Sequence, residues 1–443
     1  MKQAYLALLA VLSIYGPAHT QNTQQIGTTT VTIDTLISTM TVPWEIQLES
    51  DDFLWVTERG GIVSRIDLAT GAKDTVLDLT GEILAQSESG LLGLALHPIF
   101  EITPEVFLVY TYGPADSEGY FHERLVKYEF NDTVLINPQI LIDDIPTWQN
   151  HAGSRLFFLP DQTLLMSTGE RYQPELAQDS SSLAGKFLRL GPNGEIPYNN
   201  PDTTSYIYTM GHRNAQGIAM LPDSTIIISE HGPTTDDELS ILEPGNNYGW
   251  PLIHGFCDEN FEDAPCATGL YTEPIHNWTP TIATSDLVYY QNPYFPEWDN
   301  RLLMTTLNGQ RLVAMELNAA HNDVVDEDHY FTGEFGRLRD IAVGYNKEIY
   351  IATNTGSAGA HPIIRITPPY FASVGENDPL AFTIYPNPAH DYLTVDLPLV
   401  NAKVRILDMN GREVFAVDHV EAYNKIPLTT IQPGFYMVEV IQP

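Results

Sequence analysis

The chain has 443 residues, enough for one large domain and a small one. Its 57 acidic residues against 21 basic ones give a net charge of −36, which repels nucleic acid and anionic membrane surfaces and sets both aside as partners. Aromatic residues at 10% and 31 each of Gly and Pro favour a turn-rich β protein.

Residues 1–20, MKQAYLALLAVLSIYGPAHT, hold one lysine, an apolar run from Ala4 to Tyr15 and small residues around Ala18. That order is a secretory signal peptide, with a run too short to cross a bilayer. No later stretch is apolar for long enough to span a membrane.

From residue 28 to 369 the sequence repeats a unit of apolar stretch, turn and short apolar strand. The pairs are PWEIQL and FLWV, GLLGLALHP and VFLVY, SRLFFLP and LLMS, GIAMLP and IIIS, DLVYY and LLMT, RDIAVG and IYIA. Turn signals SDD, PDQ, PDS and YNK separate several of them. Six such units predict an all-β fold, a six-bladed β-propeller with loop insertions. A many-stranded sandwich leaves the constant turn phase unexplained. The Thr-rich segment TTTVTIDTLIST precedes the first unit and is placed to pair with the last. That pairing would close the ring and cover its strand edges.

Equal phase in a propeller means the same rim of the central channel, so the polar residues that open each unit converge there. They are Pro43 to Glu45, Glu88 to Gly90, Asn150 with His151, His212 to Gln216, Thr281 to Ser285 and Arg337 to Arg339. The loops after the second strands return to that rim with TGE (Thr168 to Glu170), SEHGPTTDDE (Ser229 to Glu238) and TLNGQ (Thr306 to Gln310). The row GHRNAQG is costly to bury without partners, so either it is solvated or something sits on it. Arg213, Arg337 and Arg339 put three guanidiniums in reach, and Arg-x-Arg spacing suits bidentate contact with carboxylates. With Asn, Gln and Thr donors and the stretch NWTPT alongside, the mouth suits a flat aromatic polycarboxylate. His151 opens a strand alone; such a histidine is more often structural, but its phase makes it a candidate base.

The SEHGPTTDDE loop offers Gly-Pro carbonyls with Asp236, Asp237 and Glu238, oxygens that suit calcium; its bland alternative is a solvated acidic turn. Cys257 and Cys266 lie in CDENFEDAPC and are expected to form a local disulfide in an exported chain. A zinc site is the less favoured reading of this pair.

Residues 370–378 are polar and loop-forming, a linker. From 379 to 443, alternating strands with NP, NG and PG turn signals predict a small β-sandwich without a catalytic constellation. Its YPNP opening, NGREV turn and PGFYMVEV ending are similar to the C-terminal sorting domain of the type IX secretion system. The resemblance implies a secreted or cell-surface protein that engages the secretion machinery through this domain.

The blocks LWVTERGGIVSRID, GLLGLALHP, NHAGSRLFFLPD, GHRNAQGIAMLPD, SEHGPTTDDELSIL, GNNYGWP and GRLRDIAVG run in order over residues 40–368. Together they resemble the soluble pyrroloquinoline quinone (PQQ) dependent glucose and aldose sugar dehydrogenases. The resemblance implies a six-bladed propeller with PQQ over the mouth and a calcium ion beneath it. It implies oxidation of an aldose at C1 to its lactone, with electrons passed to an external acceptor. It makes His151 the base for the C1 hydroxyl proton as hydride passes to the C5 carbonyl carbon of PQQ, and Arg213 the cation near the developing oxyanion. Glu170 stands where the family has the aspartate that orients this histidine. Asn214, Thr281 flanked by Trp278 and Thr279, and the pair Arg337 and Arg339 fall at cofactor contacts. Glu88, Asn150 and Asn308 stand where the glucose enzymes place a glutamine, an aspartate and a lysine. The carbonyls of Gly232 and Pro233 match those that bind the PQQ calcium. Asp237, Glu238, Tyr248 and Asp258 match a second, structural calcium site, which in relatives supports a homodimer.

Two other functions suit the same fold. A non-enzymatic ligand- or protein-binding propeller would have shed the mouth residues, which here remain. A calcium-dependent lactonase has no use for the Arg337 and Arg339 pair.

Overall fold

A computed structural model describes residues 22–368 apart from 51, 116, 118 and 355–360, and short segments between 383 and 441. The expected signal peptide (1–20) and linker (370–378) lie outside the described residues.

The described chain is nearly all β. Each apolar pair in the sequence forms an antiparallel hairpin, beginning with Pro43–Leu48 against Phe53–Glu58 and ending with Leu338–Val343 against Ile349–Thr353. Two further strands complete a four-stranded sheet over residues 43–78, 91–147, 153–210, 215–278 and 284–330. The sixth sheet takes its outer strands from the other end of the chain. Thr29–Met40 pairs with His361–Thr367, with Ile33 opposite Ile366, and Asn22–Ile26 adds the edge. The Thr-rich segment therefore pairs where the sequence placed it.

The first strands of successive sheets pack on one another in cyclic order, and the sixth packs back on the first. Among the described residues, one apolar cluster lies at each junction of neighbouring sheets. Trp55, Val63, Leu94 and Leu108 fill the first, and Trp298, Leu303, Ile351 and Ile366 the last before closure. Each such Leu, Ile, Val or Phe contributes roughly 1.5–3 kcal/mol on burial. The stability of the ring is thus spread over its junctions.

The six hairpins share one irregularity. Register slips near the start of every first strand, between Pro43 and Ile46, Leu91 and Leu94, Gly153 and Leu156, Ala215 and Gly217, Thr284 and Leu287, and Leu338 and Asp340. Such bulges bend a strand and re-aim its side chains. They fall where the sequence concentrates its polar residues.

After residue 382, two three-stranded sheets share one apolar cluster that includes Leu393, Val395, Val404, Ile406 and Ile426. No described helix is long and apolar enough to cross a membrane.

Candidate active site

His151 lies two residues before the first strand of the third sheet, with φ +56°, a left-handed conformation that a non-glycine residue rarely adopts. Its ring is buried, and Nδ1 lies 2.9 Å from Glu170 Oε1. A carboxylate only accepts, so Nδ1 carries the proton of this bond, and in a neutral imidazole that leaves the lone pair on Nε2. Glu170, itself buried, also accepts the Tyr172 N–H through Oε2, and its own N–H donates to the Arg213 carbonyl at 3.1 Å. Glu88 Oε2 accepts the His151 N–H at 3.3 Å. The dyad is therefore held from three sides.

The GHRNAQG row is fixed by a residue the sequence reading did not single out, Glu230. Its Oε2 pairs with His212 Nδ1 at 2.9 Å, and its Oε1 accepts the N–H groups of Arg213 and Asn214. His212 is fully buried, stacked on Tyr248, and serves as scaffold. Asn214 Oδ1 is spent on the Gly153 N–H and Gln216 Nε2. Arg213 donates to the His231 carbonyl at 3.2 Å and lies over the Trp250 ring, yet its buried Nε has no hydrogen-bond partner. Burial pushes its guanidinium down from the ordinary value, against the pull of Glu170 and Glu230.

His231 is the second histidine at this rim. Burial, then Arg213, pushes it down to about 3, and its Nε2–H donates to the Thr284 carbonyl at 2.6 Å. It is a neutral donor already in use, so His151 is the ring left to act as a base.

Arg337 and Arg339 open the first strand of the sixth sheet. Arg339 is buried and donates to Gln216 Oε1 at 2.9 Å, but its Nε is unpartnered. Burial lowers it, Glu88 raises it, and Arg155 and Arg337 lower it further. Half-buried Arg59, which the sequence reading also passed over, faces the same Glu88. All three guanidiniums face the exposed Glu88, with Asp340 also near Arg339, so two half-buried arginines and one buried one crowd a site suited to an anionic ligand.

The SEHGPTTDDE loop is tight. A Cβ on Gly232 would lie 1.9 Å from the Thr235 carbonyl oxygen. Among the described residues no hydrogen bond reaches the Gly232 or Pro233 carbonyl, which leaves two hard oxygens for a cation. The residues expected at a second cation site make the following bonds. Asp237 accepts the N–H groups of Gly232 (2.9 Å), Ile282 (2.7 Å) and Ala283 (2.6 Å), while burial pushes it up to about 6. Glu238 accepts the Gly255 N–H at 2.8 Å, and burial pushes it up to about 8. The Tyr248 hydroxyl donates to the Ile241 carbonyl, and Asp258 is exposed. Among the described residues no three His, Cys, Asp or Glu side chains converge to hold a metal. The Asp237 and Glu238 carboxylates accept backbone N–H groups. Cys257 and Cys266 are joined as a disulfide.

Trp278 belongs to the outer strand of the fourth sheet, packs in the junction with the fifth, and donates its indole N–H to Glu327 at 2.8 Å. Thr279 is exposed and bonds Asp236 at 2.7 Å. Thr281 and Asn308 do meet, Asn308 Nδ2 donating to the Thr281 carbonyl at 3.3 Å. Asn150 Oδ1, beside His151, is buried without a partner.

Beneath the mouth lies a cluster that sequence reasoning missed. Arg155 pairs with Glu45 at 2.6 Å, Asp340 at 2.7 Å and Asp286 at 3.6 Å, and donates to the Gln216 carbonyl at 2.8 Å. Burial alone would lower Arg155, but Asp286, Asp340 and Glu45 raise it overall; burial raises Glu45 and Asp286. The signal was a lone charge inside an apolar first strand, as in PWE, GSR, TSD and LRD. The cluster ties five of the first strands together under the site.

Residues 40–365 match the family model described as Glucose / Sorbosone dehydrogenase, and 383–442 match Secretion system C-terminal sorting domain. The chain is 31% identical over 405 residues to quinoprotein glucose dehydrogenase B of Acinetobacter calcoaceticus, covering 72% of this chain and 84% of that protein. It superposes on the PQQ-bound aldose sugar dehydrogenase of Streptomyces coelicolor with TM-score 0.64 at 29% identity, covering 76% of this chain and 98% of that one. For the apo soluble aldose sugar dehydrogenase of Escherichia coli the TM-score is 0.67 at 27% identity, covering 76% and 100%.

Proposed function

The chain belongs to the glucose/sorbosone dehydrogenase family, and from that premise we propose that it is a secreted, PQQ- and calcium-dependent enzyme that oxidises an aldose at C1 to its lactone. The observation that carries this reading is the His151–Glu170 dyad beside the buried, unpartnered Nε atoms of Arg213 and Arg339. The dyad provides a base, and the unpartnered donors fit a ligand that brings carboxylates and carbonyls. The scaffold is read as a six-bladed propeller over residues 28–369, followed by a small sandwich over 379–443.

Arg337 and Arg339 would hold the carboxylates of PQQ, with Asn214, Thr281, Thr279, Asn150, Glu88 and Asn308 around it, and the Gly232 and Pro233 carbonyls would hold calcium. When bound, PQQ supplies a carbonyl that accepts hydride, and calcium polarises it as a Lewis acid. His151 Nε2 takes the proton of the C1 hydroxyl, and Glu170 keeps the imidazole aimed and stabilises it once charged. Arg213 stands where negative charge develops on the sugar oxygen and is already in place, so no reorganisation is needed. His151 holds that proton until solvent takes it, and the electron pair of the C1–H bond would pass through the bound cofactor to an external acceptor.

The sorting domain, with the signal peptide, directs the chain to the type IX machinery. Absorbance titration with PQQ, followed by dye reduction across a panel of aldoses with calcium present, tests the proposal. Stoichiometric binding with sugar-dependent reduction is expected. A protein that neither binds PQQ nor reduces dye at saturating PQQ and calcium contradicts it and favours a binding propeller.

A further inference from the structure

One feature beside the dyad has no part in the chemistry above. Tyr172 follows Glu170 by two residues and is 57% exposed, although the His151 ring it touches, centroid to centroid at 4.9 Å, is buried. Its backbone is left-handed, with φ +61°, and so is that of Arg171, with φ +53°. Consecutive non-glycine residues in this region are strained and persist only where surrounding bonds enforce them. Here Glu170 Oε2 binds the Tyr172 N–H, so the carboxylate that aims His151 also projects Tyr172.

The aromatic surface continues away from the dyad. Trp148 lies 5.0 Å from Tyr172, and Tyr120 lies 6.4 Å from Trp148. Arg171 sits 3.9 Å over the Tyr120 ring, and its buried Nε lacks a hydrogen-bond partner. Aromatic rings with polar edges suit a ligand with one apolar face and a wet rim. A pyranose is such a ligand, with axial C–H groups on its face and hydroxyls on its rim. Of these three rings, Tyr172 is the one in contact with the His151 ring, and Trp148 and Tyr120 follow it.

We propose that Tyr172, Trp148 and Tyr120 form a wall that holds the second unit of a disaccharide or longer oligosaccharide whose reducing-end unit lies at His151. The proposal rests on the sugar-oxidising reading of the site. Arg171 supplies the donor for a hydroxyl of that second unit, and Tyr172 marks the boundary between the two units.

The test is calorimetric titration of the full chain, with PQQ and calcium present, against 1,5-anhydroglucitol and 1,5-anhydromaltitol. Both lack the reacting hydroxyl, so binding is read without turnover. The disaccharide analogue is expected to bind tighter, and Trp148→Ala and Tyr172→Ala each to cut that preference by roughly tenfold, the worth of one aromatic contact. Trp148→Phe should restore most of it, and Trp148→Ala should leave the affinity for 1,5-anhydroglucitol unchanged, which a general loss of structure would not. Equal affinity for the two analogues in the wild type, or a preference that survives in both alanine variants, overturns the wall. An intact preference in a protein that never turns over aldoses sinks the dehydrogenase reading alone. Turnover without preference sinks the wall alone.

Discussion

Two buried carboxylates hold the reactive side chains of the mouth, Glu170 under His151 and Glu230 under the Arg213 row. Removing the charge of Glu170 while keeping its shape should therefore act on turnover. Glu170→Gln is expected to lower kcat by about 10²-fold or more with unchanged PQQ affinity, since the amide does not stabilise a charged imidazole. A steady-state comparison with a PQQ titration checks this. A third buried carboxylate acts on stability. Burial pushes Glu123 up to about 8, only partly offset by the Ser154 hydroxyl on Oε1, and its Oε2 has no partner. In the unfolded chain it ionises above its ordinary 4.5. Folding then costs progressively more as pH rises from about 4.5 to about 8, on the order of a few kcal/mol by the upper end. Glu123→Gln should gain melting temperature relative to wild type across that window and stay level with it below. A difference that does not grow with pH contradicts the assignment. At this scale the sequence showed His151 and the Arg337 and Arg339 pair, because they are unusual residues at a repeating phase. It did not show Glu230, Arg59 or Arg155, whose importance lies in partners from other sheets. NWTPT reads as mouth in sequence, whereas the Trp278 indole packs in a junction of sheets and bonds Glu327.

At the level of elements, the recurring bulge is what turns a set of hairpins into a site. It interrupts the ladder at Arg339 and just after His151 and Asn214, so these side chains are set by the strand ends rather than by long loops. The SEHGP loop is the complement, built around a glycine. A methyl group on Gly232 would collide with the Thr235 and Asp236 carbonyls, and both are backbone that cannot swing away. Gly232→Ala should therefore raise the calcium concentration needed for half-maximal activity by about tenfold or more while the fold persists. A calcium titration of dye reduction, with circular dichroism as control, reads both. The inner hairpins were legible because strands buried on both faces are nearly continuous apolar runs, such as LLGLAL and IIISE. The outer strands were not. VVDEDHY and LINPQILIDDIPT are exposed over much of their length, and the second is broken by register shifts.

For the whole molecule, closure joins the two ends of the ring through Thr29–Met40 and His361–Thr367. A chain lacking residues 22–40 would bare that strand edge and part of the Ile364 and Ile366 cluster, and it is expected to aggregate or fail to accumulate. The sorting domain is separable in function. Truncation after residue 368 should leave dye reduction by purified protein intact and abolish its appearance outside the cell, as fractionation would show. The repeat and the tail motifs made this plan legible in sequence, whereas the Arg155 cluster that ties five strands under the mouth exists only once the ring is closed. The central claim is that His151 is the base of a PQQ-dependent sugar oxidation. Its most direct test is the rate of aldose-dependent dye reduction by wild type and His151→Ala, both saturated with PQQ and calcium. The expected result is active wild type and a variant slower by about 10²–10⁴-fold that still binds PQQ. A variant that binds PQQ and turns over like wild type would contradict it.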